Sequence, residues 1–443
     1  MKVLVVGKGG REHAFVWKLA QSEKITKLYA APGNPGMAGA AECVDIADTD
    51  LEGLVAFAER EQIDITLIGP EGPLDSGIVD LFEARGLTVF GPTQRAAQIE
   101  ADKDFALALM HKYKIPTAPF ETYTDATVAR RQLKEWPHPL YLKVSGLAAG
   151  KGAIYCETFE DSCRTVDEVL VDHKFGASGD KLVAMGLLEG EEASIFGFTD
   201  GKDIVCIVPA QDHKTIGEGD VGLNTGGMGA YAPAPIITPE LFDDIVERVM
   251  KRTVAALASE GRPYKGILYG GIIVTPTGPQ VIEFNCRMGD PETQAVLSLM
   301  KTDLLDVMQA VCEGTVKDLK IDLDTRAATT VVMVSGGYPV AHEVGFPIFG
   351  IEDAEAIPDV TVFHAGTRWV DGRLVTDGGR VLAINAVGND IRSSIDKAYE
   401  AVSKIGFKNH YFRRDIGHRV LDRQVLPDTS APGNSPSDSP ESS

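Results

Sequence analysis

The chain opens with Lys2-Val3-Leu4-Val5-Val6-Gly7-Lys8-Gly9-Gly10-Arg11-Glu12-His13, and this stretch decides how the rest is read. Residues 2–6 are mostly apolar and β-branched, which predicts a strand buried on both faces. Residues 13–21 have helical spacing, so the glycine-rich turn at 7–12 joins a strand to a helix. Exposed amides at a helix N-terminus favour a phosphate or carboxylate. Glycine lets a ligand come close to the backbone, and Arg11 is a natural anion partner. The dinucleotide fingerprint G-x-G-x-x-G needs glycine where Glu12 stands, and no acid placed to read a ribose 2′-OH is evident, which disfavours NAD. A tight turn that binds nothing is the plain alternative.

The same alternation continues outward from that strand. Apolar runs at 28–31, 63–68 and 87–90 read as strands, and 51–62 and 77–85 read as helices. Strands alternating with helices predict a parallel sheet covered on both faces, with ligands at the carboxyl ends of the strands. Beyond Ile115-Pro116 the pattern changes to hairpins: 140–144 with 153–156, 193–198 with 204–208, and 269–274 with 280–284. A helix is expected over 239–260, with Thr238 as N-cap and proline at its first position. The fold class is therefore α/β followed by α+β. The expected organisation is an N-terminal parallel-sheet domain at 1–101, a central domain at 102–326 and a mixed C-terminal domain at 327–426. The Pro/Ser-rich acidic stretch 427–443 is expected to be a disordered tail.

Composition limits the partners. The 443 residues carry 43 basic and 64 acidic side chains, a formal net charge of -21, so nonspecific binding to nucleic acid or anionic lipid is disfavoured. No apolar run is long enough to span a membrane. The six cysteines form no C-x-x-C pair, and with no export signal the expectation is a cytoplasmic protein with reduced thiols.

Four segments carry candidate chemistry. Gly146-Leu147-Ala148-Ala149-Gly150-Lys151-Gly152 resembles a Walker A loop, but one residue is missing between the glycines and Gly152 replaces the magnesium-binding hydroxyl. It also joins two strands, so a P-loop is rejected. A flap over phosphates, flanked by Lys143 and Lys151, remains, beside the plainer reading of a solvated hairpin. Lys103, near the start of a helical run, reads alone as a surface lysine. In Glu283-Phe284-Asn285-Cys286-Arg287, strand alternation puts Glu283, Asn285 and Arg287 on one side. A carboxylate and an amide oxygen suit a hard cation, although a solvated edge strand would show the same pattern. Residues 212–229 form a long glycine-rich polar loop, a length that is usually functional.

Taken together, the stretches GKGGREHA (7–14), APGNPG (31–36), GPEGPL (69–74), GLAAGKG (146–152), LLEGEEAS (187–194), PAQDHK (209–214), GLNTGGMGAY (222–231), EFNCRMGDPETQ (283–294), SGGYP (335–339), FHAGT (363–367), GGRVL (378–382) and FRRDIGH (412–418) resemble the phosphoribosylamine–glycine ligases of the ATP-grasp superfamily. The resemblance implies a central two-part ATP-grasp domain. It implies ATP-dependent joining of glycine to 5-phosphoribosylamine in purine synthesis, through glycyl phosphate, by a monomer with small-molecule substrates. It also implies Mg²⁺ or Mn²⁺ on Glu283 and Asn285, and ATP contacts from Lys103, Lys143, Lys151, Leu188, Glu189 and Glu192. Substrate contacts would come from Gly9, Gly10, Asn34, Glu71, Asp212, Arg287 and Asp290, with Lys143 and Arg287 closest to the chemistry. The sequence departs from the family's pattern at Lys8, at Ser145 where an aspartate is usual, at Met185-Gly186 where paired glutamates are usual, and at Thr215 where an arginine is usual. Another ATP-grasp carboxylate ligase, or a weakened nucleotide-binding relative, are the competing readings.

Overall fold

The computed structural model describes residues 1–148 and 150–425. The expected tail at 427–443 lies outside them. The first strand, Lys2–Gly7, lies in a five-stranded parallel sheet. It is flanked by Lys27–Pro32 and Ile65–Ile68, with Glu42–Cys43 and Val89–Phe90 at the edges. Val3 to Val6 are fully buried, as a sheet covered on both faces requires. The helix after this strand runs Gly10–Leu19, three residues earlier than the apolar spacing indicated. The cause is Glu12, whose carboxylate turns back to accept the Gly9 amide at 2.8 Å and caps the helix.

The middle of the chain builds two antiparallel four-stranded sheets. One comprises Phe120–Tyr123, Leu182–Gly186, Leu140–Val144 and Ala153–Cys156. Leu140, Leu142, Val144, Leu182 and Ala184 of this sheet, with Ala129 and Leu133 of the adjoining helix, make a small core of its own. We refer to this unit as the small lobe. The other sheet, Ile204–Cys206, Glu191–Asp200, Lys265–Thr275 and Gly278–Asn285, belongs to the larger body of the molecule. All three expected hairpins are present. The helix expected over 239–260 starts as expected, with the Thr238 hydroxyl accepting the Leu241 amide, but is interrupted by a π-helical turn at Val246–Lys251.

The segment 212–229 corrects an expectation. It is not structureless: Thr215–Gly217 pairs with Val221–Asn224 as a hairpin. Its flanking strands Gln211–Asp212 and Gly229–Ala232 join the sheet of the last third of the chain, beside Ala327–Val334, Arg380–Gly388 and Val360–His364. That sheet therefore mixes residues from both sides of position 326. Polar side chains hold the hairpin from below. Arg413, with no side-chain exposure, pairs with Asp220 at 3.0 Å and donates to the Thr215 carbonyl at 3.2 Å. No described helix is long and apolar enough to cross a membrane.

Candidate functional site

A cleft of about 310 Å³ lies between the small lobe and the body. Part of its lining is apolar: Ala106, Leu107, Met110, Met185, Ile273 and Phe284. The charged and polar part of the lining includes Lys103, Lys143, Glu283, Asn285, Glu71 and Arg287. The two lysines arrive from different lobes. Lys103 starts the body helix Lys103–Lys112, and Lys143 lies in the small-lobe strand Leu140–Val144. Burial pushes the Lys143 ammonium below its ordinary range, the Glu283 carboxylate opposes that, and Lys103 adds to it. Among the described residues, Nζ of Lys143 makes one long hydrogen bond, 3.4 Å to the Ile282 carbonyl, so its charge is largely unspent.

Glu283 and Asn285 both line the cleft, as strand alternation indicated. No hydrogen bond to either side chain is made among the described residues. No cluster of three or more acidic, histidine or cysteine ligands exists among those residues either. One carboxylate and one amide oxygen do not make a closed metal cage. They suit a hard cation that completes its shell with phosphate oxygens and water.

Arg287 forms the floor. It pairs with Glu71 at 3.2 Å and Glu100 at 3.0 Å, and Arg11 reaches Glu71 at 3.8 Å. Burial alone would raise the Glu71 carboxyl, but the Arg287 and Arg11 guanidiniums outweigh it and hold it at about 2. At the rim, Lys214 bridges Glu192 at 2.8 Å and Asp212 at 2.7 Å. Burial opposes the Lys214 charge, yet Asp212 and Glu192 hold it well above the ordinary lysine range.

The other expected site residues divide between this cleft and its surroundings. Leu188 and Glu192 line the cleft, whereas Lys151 and Glu189 are exposed and do not. Gly9, Gly10 and Asp290 group beyond Arg11. A Cβ on Gly10 would lie 3.7 Å from an Asp290 oxygen and 2.8 Å from the Gln294 amide. Asp290 pairs with Arg380 at 3.2 Å and accepts from Gln294 at 2.9 Å. The Asn34 amide donates to the Lys8 and His364 carbonyls, each at 2.8 Å, and so ties the first loop to the C-terminal sheet. Sequence reasoning missed Glu100, Lys214 and Arg380 as participants. Lys214 and Arg380 stood inside quoted motifs, but nothing in a linear sequence pairs Glu100 with a residue 187 positions away.

Family models for phosphoribosylglycinamide synthetase match this chain in order: the N domain at 1–100, the ATP-grasp (A) domain at 101–293 and the C domain at 328–419. The chain belongs to the phosphoribosylglycinamide synthetase family. It is 45% identical over 424 residues to a phosphoribosylamine–glycine ligase of Ralstonia nicotianae, covering 96% of this chain and all of that protein. A ligase of the same name from Caldanaerobacter subterraneus is 46% identical, covering 94% and 99%. The crystal structure of a phosphoribosylamine–glycine ligase from Thermotoga maritima superposes with a TM-score of 0.82 at 29% identity, covering 94% of this chain and all of that one. A biotin carboxylase from Campylobacter jejuni shares the fold, with a TM-score of 0.70 at 15% identity over 96% and 95% of the two chains. These likenesses bear out the mixed architecture with a parallel N-terminal sheet and an ATP-grasp centre.

Proposed function

We propose that this chain joins glycine to 5-phosphoribosylamine at the expense of ATP, releasing glycinamide ribonucleotide, ADP and phosphate. One observation carries the reading: a single cleft combines an apolar lining of Leu107, Met110, Met185 and Phe284 with two lysines, an acid–amide pair and a buried arginine. That combination suits a purine nucleotide triphosphate.

The chemistry assigns each residue a task. The glycine carboxylate is a poor acyl donor because its leaving group would be oxide. One of its oxygens attacks the γ-phosphorus, the bond to ADP breaks, and glycyl phosphate forms. The amine nitrogen of phosphoribosylamine then attacks the acyl carbon. The carbon–oxygen bond breaks, phosphate leaves, and the nitrogen loses a proton. No protein nucleophile is required. Lys103 and Lys143 neutralise the phosphoryl oxygens, since this transfer depends on positioning and charge rather than covalent help. Arg287, held flat by Glu71 and Glu100, presents its charge to the glycine carboxylate or the migrating phosphoryl group. Glu283 and Asn285 would hold Mg²⁺ or Mn²⁺, which when bound would supply Lewis-acid neutralisation of phosphoryl charge. Met185, Leu107, Met110 and Phe284 enclose the base, and Glu192 accepts from the ribose. Gly9, Gly10, Asn34 and Asp290 shape the phosphoribosyl end, and Asp212 holds Lys214 or an incoming ammonium. We take the working unit to be a monomer acting in the cytoplasm.

The test is ADP release with glycine plus freshly generated phosphoribosylamine, compared with bicarbonate and with no acceptor. Release should need both substrates and divalent metal, and Glu283→Gln should abolish most of it without unfolding the chain. Turnover with bicarbonate alone would assign the chain to another carboxylate-activating reaction.

A further inference from the structure

Lys103 and Lys143 carry like charges and sit on different lobes, so something must hold them at a working distance before phosphate arrives. The structure shows a polar junction one or two residues from each. The Ser145 hydroxyl donates to Asp102 Oδ1 at 2.7 Å and accepts the Asp104 amide at 3.0 Å. The Ser145 carbonyl accepts the Lys103 amide at 3.0 Å. Asp102 is also the N-cap of the Lys103–Lys112 helix, accepting from the Phe105 amide at 3.1 Å. Lys181 of the small lobe donates to Asp104 at 2.8 Å and Asp102 at 3.3 Å, and its carbonyl accepts the Ser145 amide at 3.0 Å. Thr122 adds a bond to Asp104 at 2.8 Å. The first turn of the body helix thus spends its unpaired amides on the end of the small-lobe strand rather than on water.

We propose that Asp102, Ser145 and Lys181 form a positioning latch that presets the spacing of Lys103 and Lys143 and so prepares the phosphate clamp before ATP binds. A preset clamp needs little rearrangement as charge shifts in the transition state, which is what makes such groups effective. Ser145 is 4% exposed, so its hydroxyl has no ready water substitute. The bond has a direction: a hydroxyl on the small lobe donates to a carboxylate on the body. Exchanging the two side chains reverses the donor and acceptor but keeps the bond, and serine remains a good N-cap at position 102. The inference rests on assigning both lysines to the nucleotide phosphates.

The experiment compares Ser145→Ala, Ser145→Asp and the exchange Asp102→Ser with Ser145→Asp in the full chain. Ser145→Ala should lower kcat/KM for ATP about tenfold, while the KM values for glycine and phosphoribosylamine stay within about twofold. Ser145→Asp puts two carboxylates against each other and should cost on the order of a hundredfold. The exchange should return to within about threefold of the original. Binding of a magnesium–nonhydrolysable ATP analogue, measured by calorimetry without glycine or amine, should follow the same order. If that order holds in binding while the unaltered chain makes no glycinamide ribonucleotide, the latch stands and the ligase reading fails. If the ligase works but Ser145→Ala leaves kcat/KM and analogue affinity unchanged, or the exchange is no better than Ser145→Asp, the latch is wrong. A fall in melting temperature alone, with kinetics intact, would show a purely structural junction.

Discussion

At the scale of single residues, the cleft separates charges that are already paired from charges held open. Arg287, Glu71 and Glu100 satisfy one another, as do Glu192, Lys214 and Asp212. Lys143 is buried with a single weak contact, and Glu283 and Asn285 are unbonded among the described residues. Burying an ammonium with so little hydrogen bonding is unfavourable, and in the proposed function a phosphate ligand relieves it. Removing such a contact from the transition state costs on the order of 2–4 kcal/mol. Lys143→Ala should therefore slow turnover by roughly two to three decades. Steady-state kinetics checks this, and less than about a tenfold change in kcat/KM would return Lys143 to an ordinary structural lysine. That Glu283 and Asn285 share a face was legible from strand period alone, because side chains two apart point the same way. The pairing of Arg287 with Glu100 was not, because it depends on how the helix Gln94–Ala101 packs beneath the last strand of the body sheet.

At the scale of elements, the strand Leu182–Gly186 forms the hinge side of the apolar slot. Met185 is 4% exposed and packs with the body core, so a carboxylate there would be buried. Gly186 is different. Its amide donates to the Pro119 carbonyl at 2.9 Å, and a Cβ would meet nothing closer than 3.6 Å. In the proposed function the slot therefore holds a base by apolar contact and by backbone groups, because methionine is a weak acceptor but packs adaptably. Gly186→Glu adds an acceptor at the rim without a clash. One net hydrogen bond is worth about 0.5–1.5 kcal/mol, so the ATP KM should fall about threefold to tenfold and preference over GTP should rise. If both quantities stay as they were, the base is held elsewhere. The hairpin at 215–224 teaches the opposite lesson about legibility. Its glycines and acids read as a loop, and it is Arg413 and Arg419, nearly 200 positions later, that give Asp220 and Thr215 the partners that fix it.

At the scale of the whole molecule, the first helix is locked to the last sheet. His13 Nδ1 accepts the His364 amide at 2.8 Å, and the two rings meet edge to face at 5.7 Å. Burial, and then the neighbouring His364, push His13 down to about 3, and burial takes His364 to about 4. Both imidazoles are neutral in the fold and would charge near 6.5 when unfolded. Below that value the unfolded chain binds more protons, so stability falls as pH drops from 6.5 towards 4. Each histidine contributes about 1.4 kcal/mol per pH unit to that fall. Urea titrations between neutral and mildly acidic pH should show the loss. His13→Gln, whose amide oxygen can still accept the His364 N–H, should flatten it. An unchanged pH slope would remove His13 from the account. The order of strands and helices follows local patterns that a sequence displays. This closure does not, because it joins residues 351 positions apart.

The central claim is that the glycine carboxylate is activated as an acyl phosphate in this cleft. Turnover with glycine carrying ¹⁸O in its carboxylate tests it most directly. Each cycle should move one labelled oxygen into the released phosphate and leave the other in the amide of the product, read by mass spectrometry of both. Product formation with phosphate free of label would mean that ATP is cleaved without activating glycine, and would contradict the account.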